Sequence, residues 1–397
     1  MKKYVTVIAT NLFSQAALAG FLFLVALRFE PAVADQFSLL LQTGLMALSG
    51  IVMGVVYGLA LGRPDFDLWS QFAISAAVFS LLVGLVSSLV WVSLGNPNGL
   101  LFIISGAAGA LYAWAGTLAV RLALLGRPLS IPAVSGSSSA SLLAGLLLSL
   151  VLPSSIAVYC ISVSWVLGGM IAVGLVRRVA RDSIASTAGL ASGPSGRGRM
   201  LEHTAALVAS AATATILPVL ASTALLALPA GTLALAYFVG RFIGAGVNLL
   251  VNSVLSVRYH WANSPILNRG VILFAVLTAL VGAVWMLWLA LLGSDQTVWV
   301  TVLPWLIMVA TSAILLREAN AQLRVRTLSI KSTIDLLGAS VVVAALFVNP
   351  SVVGYFCLFT VSGSITCSVT LASQRRWWEM CFAAVTGALA MAASFAA

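Results

Sequence analysis

Charge is scarce in this chain of 397 residues: 8% of the residues are Asp, Glu, Lys or Arg, while 61% are hydrophobic. A soluble globular protein carries about 25% charged residues, and it has too little interior to hide this much apolar surface. Runs of about twenty apolar residues recur along the whole sequence, which is typical of a polytopic helical membrane protein. The runs are continuous rather than alternating, and this excludes a transmembrane barrel.

Histidine and cysteine are also scarce, with 2 and 4 residues respectively. The cysteines lie in apolar runs, at Cys160, Cys357, Cys367 and Cys381. Without a CxxC pair they are interpreted as small apolar residues. His203 and His260 alone do not assemble a zinc site. The sequence also has no P-loop and no Ser/His/Asp set in an accessible segment. We therefore expect a protein that is not an enzyme and has no cofactor, apart from coupling to a proton or sodium gradient.

Hydropathy divides the chain into two sets of six spans. The first set lies near 5–27, 37–61, 69–94, 100–125, 129–152 and 156–176. The second set lies near 201–228, 232–257, 270–293, 297–316, 327–348 and 351–373. The two sets echo each other weakly at an offset of 196 residues, which superimposes Gly44 on Gly240. Such internal repeats are common in secondary transporters.

These spans predict an all-α protein with two six-helix lobes, 1–176 and 201–373. The segment 177–200 is rich in Ser, Gly and Arg, and we expect it to be a flexible cytoplasmic linker between the lobes. Residues 374–397 form a cytoplasmic turn followed by an extra apolar helix at 380–397, a candidate thirteenth span.

The basic residues predict the orientation. If the N-terminus is cytoplasmic, most of the 20 Lys and Arg residues fall in cytoplasmic segments, as the positive-inside rule requires. Arg121 and Lys331 lie near cytoplasmic helix ends, from which long side chains reach water. Only Arg28 lies outside, and only Arg241 lies deep in a span. The net charge of +10 thus reflects topology and calls for no nucleic-acid partner.

A polar stripe runs along the apolar span 232–257. It consists of Tyr237, Arg241, Gly244, Asn248 and Asn252. Steps of three and four residues return to one face of a helix. A charge at bilayer depth costs about 2.5–3.5 kcal/mol on insertion scales, so such a residue faces protein or water. We expect this face to line a water-filled cavity.

Three polar residues of the first span are further candidates. Asn11 and Gln15 are four residues apart and share one helix face, from which they contact either sugar hydroxyls or another helix. Arg28 lies at the outer end of the same span. It either contacts a substrate headgroup as that group leaves or is a solvated charge beside Glu30.

The predicted spans contain very few carboxylates. Asp335 is the only one deep in a span; it either responds to protons or sodium, or pairs with Arg241 or with Lys331 four residues earlier. The amino-terminal acids are expected in loops, at Glu30, Asp35, Asp65, Asp67 and Asp182. A cavity without carboxylates in this half favours an anionic substrate over a cationic one.

Two segments resemble a known family. The stretches RFEPAVADQFSLLLQTGLMALSGIVMGVVYGLALGR (28–63) and PAGTLALAYFVGRFIGAGVNLLVNSVLSVRY (229–259) are similar to the second and eighth helices of bacterial polysaccharide flippases. These flippases belong to the multidrug/oligosaccharidyl-lipid/polysaccharide exporter superfamily. The similarity consists of a short outer turn, a small-aromatic helix start (LALAYF), glycines within the helix and a basic residue just past its cytoplasmic end.

The resemblance implies two lobes around a central cavity that opens alternately to each side. It implies transport of a polyprenyl-diphosphate-linked glycan from the cytoplasmic to the outer leaflet of the bacterial cytoplasmic membrane. Arg241 would then hold the diphosphate. The other substrate-binding candidates are Tyr237, Asn248, Asn252, Asn11, Gln15 and Arg28. The expected partners are this anionic lipid-linked substrate and membrane lipids, around a monomer.

Other functions remain open at this stage. An ion-coupled drug or metabolite exporter of the same superfamily has the same layout. A major-facilitator transporter also has two sets of six helices, but its basic loop after the second helix is poorly matched by ALGRPDFDLW at 60–69. A membrane polymerase or ligase would need a large outer loop, whereas the outer connections here are a few residues long.

The role of Asp335 generates a first prediction. If its carboxylate couples transport to a cation gradient, Asp335→Asn should abolish the dependence of transport on external pH or sodium while the protein still inserts. Lys331→Gln should leave that dependence intact, because it removes only the neighbouring charge. Both are measured by transport-dependent growth at acidic and alkaline external pH. An Asp335→Asn variant that keeps the wild-type pH and sodium profiles would exclude the coupling role.

Overall fold

A computed structural model describes most of the chain outside its middle and its C-terminus. The described residues are 2–46, 48, 51–52, 56, 69–127, 129–184, 209, 212–213, 215–247, 325–373, 375–378, 380–381, 383–385 and 387–388. The spans predicted at 270–293 and 297–316 lie outside them. Contacts divide the chain into two compact units, 1–201 with 214–257, and 202–213 with 258–397. The predicted lobe boundaries stay a prediction.

All regular elements in the described ranges are helices. In the first unit they are α1 (Lys2–Arg28), α2 (Pro31–Met46), α3 (Trp69–Ser93), α4 (Leu100–Leu124), α5 (Ser130–Leu148), α6 (Ser154–Ile184), α7 (Thr215–Ala227) and α8 (Thr232–Val247). In the second unit they are α9 (Val325–Val348) and α10 (Val352–Ser373). Within the described residues, 5 helices are long and apolar enough to cross a membrane, namely α1, α3, α4, α5 and α6. The chain is a multi-pass helical membrane protein.

The helix bounds differ from the hydropathy spans in two places. Helix α2 begins at Pro31 rather than near 37, because proline suits the first turn of a helix, where its missing N–H costs no hydrogen bond. Helix α6 continues through Ile184, so the start of the predicted linker 177–200 is helical. Its arginines are good helix formers, and no glycine or proline interrupts the chain between Gly174 and Gly189.

The interior of the first unit centres on α4, which packs against α2, α3, α5 and α6. Buried hydroxyls and one indole connect these helices. The Tyr112 hydroxyl donates to the Trp165 carbonyl at 3.2 Å, and the Trp165 indole N–H donates to Ser138 Oγ at 2.9 Å. Ser139 Oγ lies 3.3 Å from Ser14 Oγ on α1. The serine cluster of α5 therefore both allows close packing and supplies polar contacts between helices.

In the second unit, α9 and α10 pack against each other. Ser364 on α10 donates a hydrogen bond to the carbonyl of Ala383, which lies in the extra C-terminal apolar segment. The described residues between 383 and 388 are helical. This contact places the beginning of that segment against α10.

Helices α3 and α4 approach each other at a pair of glycines. A Cβ added at Gly84 would lie 2.7 Å from the Phe102 carbonyl oxygen and 2.9 Å from Gly106 Cα. A Cβ added at Gly106 would lie 2.9 Å from Gly84 Cα. The two backbones are in direct contact, which is how small residues promote helix association in membranes.

Adding a methyl group at this contact should push the two helices apart. We expect Gly84→Ala to lower the melting temperature of the purified protein in detergent, because overpacking costs about 1–3 kcal/mol. Gly174→Ala on α6 is the matched control, since its Cβ would meet nothing within 4 Å. That substitution should leave stability unchanged or raise it, because alanine favours helix by about 1 kcal/mol over glycine. Equal melting temperatures for the two variants would contradict the close approach.

Candidate functional site

The candidate site lies where α2 packs against α8 and is hydrogen-bonded to α7, all within the first unit. Two contacts set the direction of α2. Asp35 near its start binds the start of α8, and Gln42 seven residues later binds Ser222 of α7. Helix α7 ends at the turn where α8 begins, so both helices lead away from that turn. Helix α2 also leads away from it, because Asp35 contacts the turn and Gln42 contacts Ser222 further along α7. Helices α2 and α8 therefore run in parallel.

Asp35 caps the N-terminus of α8. Its Oδ1 accepts the N–H of Ala234 at 2.7 Å, and its Oδ2 accepts the N–H of Gly231 at 2.7 Å. The first N–H groups of a helix have no partner within the helix, and a carboxylate also favours the positive end of the helix dipole. The side chain is only 5% exposed, which fits a carboxylate enclosed by its donors.

The expectation that Asp35 lies in a loop is wrong. The residue belongs to α2 because that helix begins at Pro31, six residues before the apolar span that hydropathy detects. Gly231 allows the contact: its φ is +94°, which favours glycine, and a Cβ there would lie 3.2 Å from Cβ of Pro31. The sequence offered one signal, since Asp35 and Gly231 are 196 residues apart, the offset between the two halves.

Gln42 is a second residue that sequence reasoning did not assign to the site. It is 1% exposed, and its Oε1 accepts a hydrogen bond from the Ser222 hydroxyl. Its Nε2 is buried and has no hydrogen-bond partner among the described residues. Burying the two N–H donors of Nε2 without a partner costs free energy, unless an acceptor binds them.

Arg241 and Tyr237 form one unit on α8. The guanidinium Nε donates to the Tyr237 hydroxyl at 2.7 Å, and Cζ lies 5.0 Å from the centre of the same ring. Tyr237 is 5% exposed, whereas Leu235 on another side of the helix is 63% exposed. The predicted stripe thus begins on the buried side of α8. Nη2 of Arg241 is buried and, within the described part of the chain, has no partner.

The α1 candidates lie at other depths. Arg28, at the C-terminal end of α1, donates to the Leu152 carbonyl at 3.1 Å, and its Cζ lies 5.5 Å from the centre of the Phe29 ring. Asn11 is 8% exposed, and Gln15 is half-buried. At 1.5 Å per residue, Asn11 lies roughly 25 Å from the C-terminal end of α1, whereas Arg241 lies roughly 13 Å from the start of α8. That these α1 residues share a substrate site with Arg241 stays a prediction.

The remaining candidates lie outside the described part of the first unit. Asn248 and Asn252 lie outside the described residues. Asp335 lies on α9 in the second unit, where it is partly buried and takes part in an electrostatic or hydrogen-bonding interaction. Its pairing with Arg241 stays a prediction.

Comparison with known proteins finds likeness in structure but not in sequence. No family model matches the chain, and no curated protein sequence matches it. One similar solved structure is a mutant of the MATE transporter VcmN of Vibrio cholerae, with 16% identity, a TM-score of 0.47 and coverage of 94% of this chain and 97% of that one. Another is VcmN in its bent form, with 15% identity, a TM-score of 0.48 and coverage of 98% of each chain.

The Asp35 cap predicts how fast two backbone amides of α8 exchange with solvent. In Asp35→Ala, the N–H groups of Gly231 and Ala234 lose their acceptor, and we expect faster hydrogen–deuterium exchange in a peptide covering 229–236. Loss of a cap costs about 0.5–2 kcal/mol, which corresponds to exchange roughly 2- to 30-fold faster. Glu30→Gln is the control, because that side chain is exposed. Unchanged exchange in Asp35→Ala would contradict the cap.

Proposed function

We propose that this chain is a flippase that moves a polyprenyl-diphosphate-linked glycan from the cytoplasmic to the outer leaflet of the bacterial cytoplasmic membrane. The observation that carries the proposal is Arg241, a cation inside an apolar helix with a buried Nη2 that is bound by nothing in the described structure. An intramembrane cation of this kind marks a substrate pathway more often than a structural contact.

Arg241 suits a diphosphate for chemical reasons. A guanidinium stays charged at any physiological pH, and its planar donors match two oxygens of a phosphate. Tyr237 occupies Nε, which holds the plane of the guanidinium in place and leaves Nη2 for a ligand. The prenyl chain would stay in the lipid while the charged group and the glycan cross through the protein.

In the proposed cycle, the α2 contacts belong to a state that is closed to the outside. The cap at Asp35 holds the start of α2 against the start of α8, and the Gln42–Ser222 hydrogen bond holds α2 against α7 two turns deeper. Release of a glycan to the outside would require these contacts to separate. Each hydrogen bond contributes about 0.5–3 kcal/mol net, so the whole closure is worth a few kcal/mol. A substrate with a differential affinity of about 5.5 kcal/mol is enough to reverse such an equilibrium.

An ion-coupled exporter of the same superfamily is the second candidate. Asp35 is the observation that favours it, because a buried carboxylate now stands in the amino-terminal half. Both of its oxygens, however, already accept backbone N–H groups, so this carboxylate has a structural role as the cap of α8. The balance supports an anionic substrate, with coupling through Asp335.

Depletion of the protein in its native host tests the proposal. We expect mass spectrometry of the lipid extract to show accumulation of a polyprenyl-diphosphate glycan, and leaflet-specific labelling to place it on the cytoplasmic side. Wild-type protein should clear it. Arg241→Ala should insert at wild-type levels but fail to clear it, whereas Arg178→Ala, at an exposed arginine on α6, should behave as wild type. An unchanged lipid pool on depletion would overturn the proposal in favour of the exporter.

A further inference from the structure

Two of the buried donors without a described partner lie on helices that touch. Gln42 Nε2 is on α2 and Arg241 Nη2 is on α8, and these helices pack against each other in the first unit. Both groups are donors, and one carries a full positive charge. A pair of unpartnered donors selects a ligand that only accepts hydrogen bonds and that brings negative charge.

The register places both donors at one depth. Asp35 contacts Ala234, and from this contact Gln42 lies seven residues further along α2 and Arg241 lies seven residues further along α8. Seven residues make two helical turns, or about 10.5 Å, and return each helix to nearly the same face. Because α2 and α8 run in parallel, Gln42 and Arg241 reach the same level below the cap.

The described residues around the two donors provide no free anion. Asp35 is two turns away, and both of its oxygens are engaged with backbone N–H groups. The neighbouring polar groups are hydroxyls: Ser222 donates to Gln42 Oε1, and Tyr237 accepts from Arg241 Nε. Among the described residues of this unit, nothing neutralises the guanidinium.

We propose that Gln42 and Arg241 bind one phosphate-type oxyanion together, between α2 and α8. The inference rests on the proposed function and deepens it: the phosphate site is two-sided, with a charged donor on one half of the chain and a neutral amide donor on the other. The Gln42 amide also holds Ser222, so the bound anion contacts the same side chain that links α2 to α7.

Ligand-dependent thermal stability of the purified, detergent-solubilised protein tests this site. The probes are farnesyl diphosphate, inorganic pyrophosphate and the uncharged farnesol. Wild type should be stabilised by farnesyl diphosphate but not by farnesol. Gln42→Leu keeps the size of the side chain but removes its donors, and we expect roughly 10- to 100-fold weaker binding of farnesyl diphosphate. Gln36→Leu, at a buried glutamine elsewhere on α2, should bind as wild type.

A charged variant tests the juxtaposition directly. Gln42→Glu places a carboxylate at the level of Arg241, so it should raise the melting temperature without ligand and abolish the shift by farnesyl diphosphate. Adding Arg241→Gln should remove the gain. Additive effects of Gln42→Glu and Arg241→Gln would overturn the shared site even if a single variant folds poorly.

The outcomes separate this inference from the proposed function. Full binding by Gln42→Leu, with binding lost in Arg241→Gln, would overturn the role of Gln42 and leave Arg241 as the phosphate contact. Equal stabilisation by pyrophosphate and farnesyl diphosphate, both lost in Gln42→Leu, would support the oxyanion site but assign it to a free anion, against the flippase. No shift with either anion would overturn the site.

Discussion

The hydrogen bonds between the Asp35 carboxylate and the first N–H groups of α8 are the constraint on which the candidate site depends. They satisfy backbone donors that an apolar environment leaves without partners, where each unmet group costs several kcal/mol. They also fix the register of two parallel helices from opposite halves of the chain. Everything deeper along α2 and α8 follows from that register, including the common depth of Gln42 and Arg241.

Below the cap, polar groups are few and each has a definite geometry. Tyr237 takes one nitrogen of the Arg241 guanidinium through its hydroxyl and faces the charge with its ring, an arrangement that stabilises a cation without neutralising it. Ser222 takes the oxygen of the Gln42 amide and leaves its nitrogen. The described residues thus hold two donors in place and supply no acceptor for them, and this pre-organisation is the basis of the proposed anion site.

The sequence predicted the helical class and most of the described helix bounds, apart from the start of α2 and the end of α6. It also predicted that Tyr237 and Arg241 share a face of α8, where they are hydrogen-bonded to each other. It missed Asp35 and Gln42, and the reasons are physical. Hydropathy detects where a long apolar run begins, but α2 starts earlier, at Pro31, and its second turn carries Asp35 and Gln36. Gln42 is an uncharged residue within an apolar run, and its importance arises only from the helix beside it. A helix periodicity shows which residues share a face, but it does not show which other helix that face meets.

The central claim is that a diphosphate crosses the membrane through the site between α2 and α8. Reconstitution tests it most directly: proteoliposomes contain a fluorescent polyprenyl-diphosphate glycan in both leaflets, and an impermeant reductant bleaches the label that reaches the outside. The account predicts that wild-type protein exposes the label of the inner leaflet and that Arg241→Ala, reconstituted at equal density, does not. If the protected fraction with wild type equals that of protein-free vesicles under an imposed proton or sodium gradient, the account is contradicted.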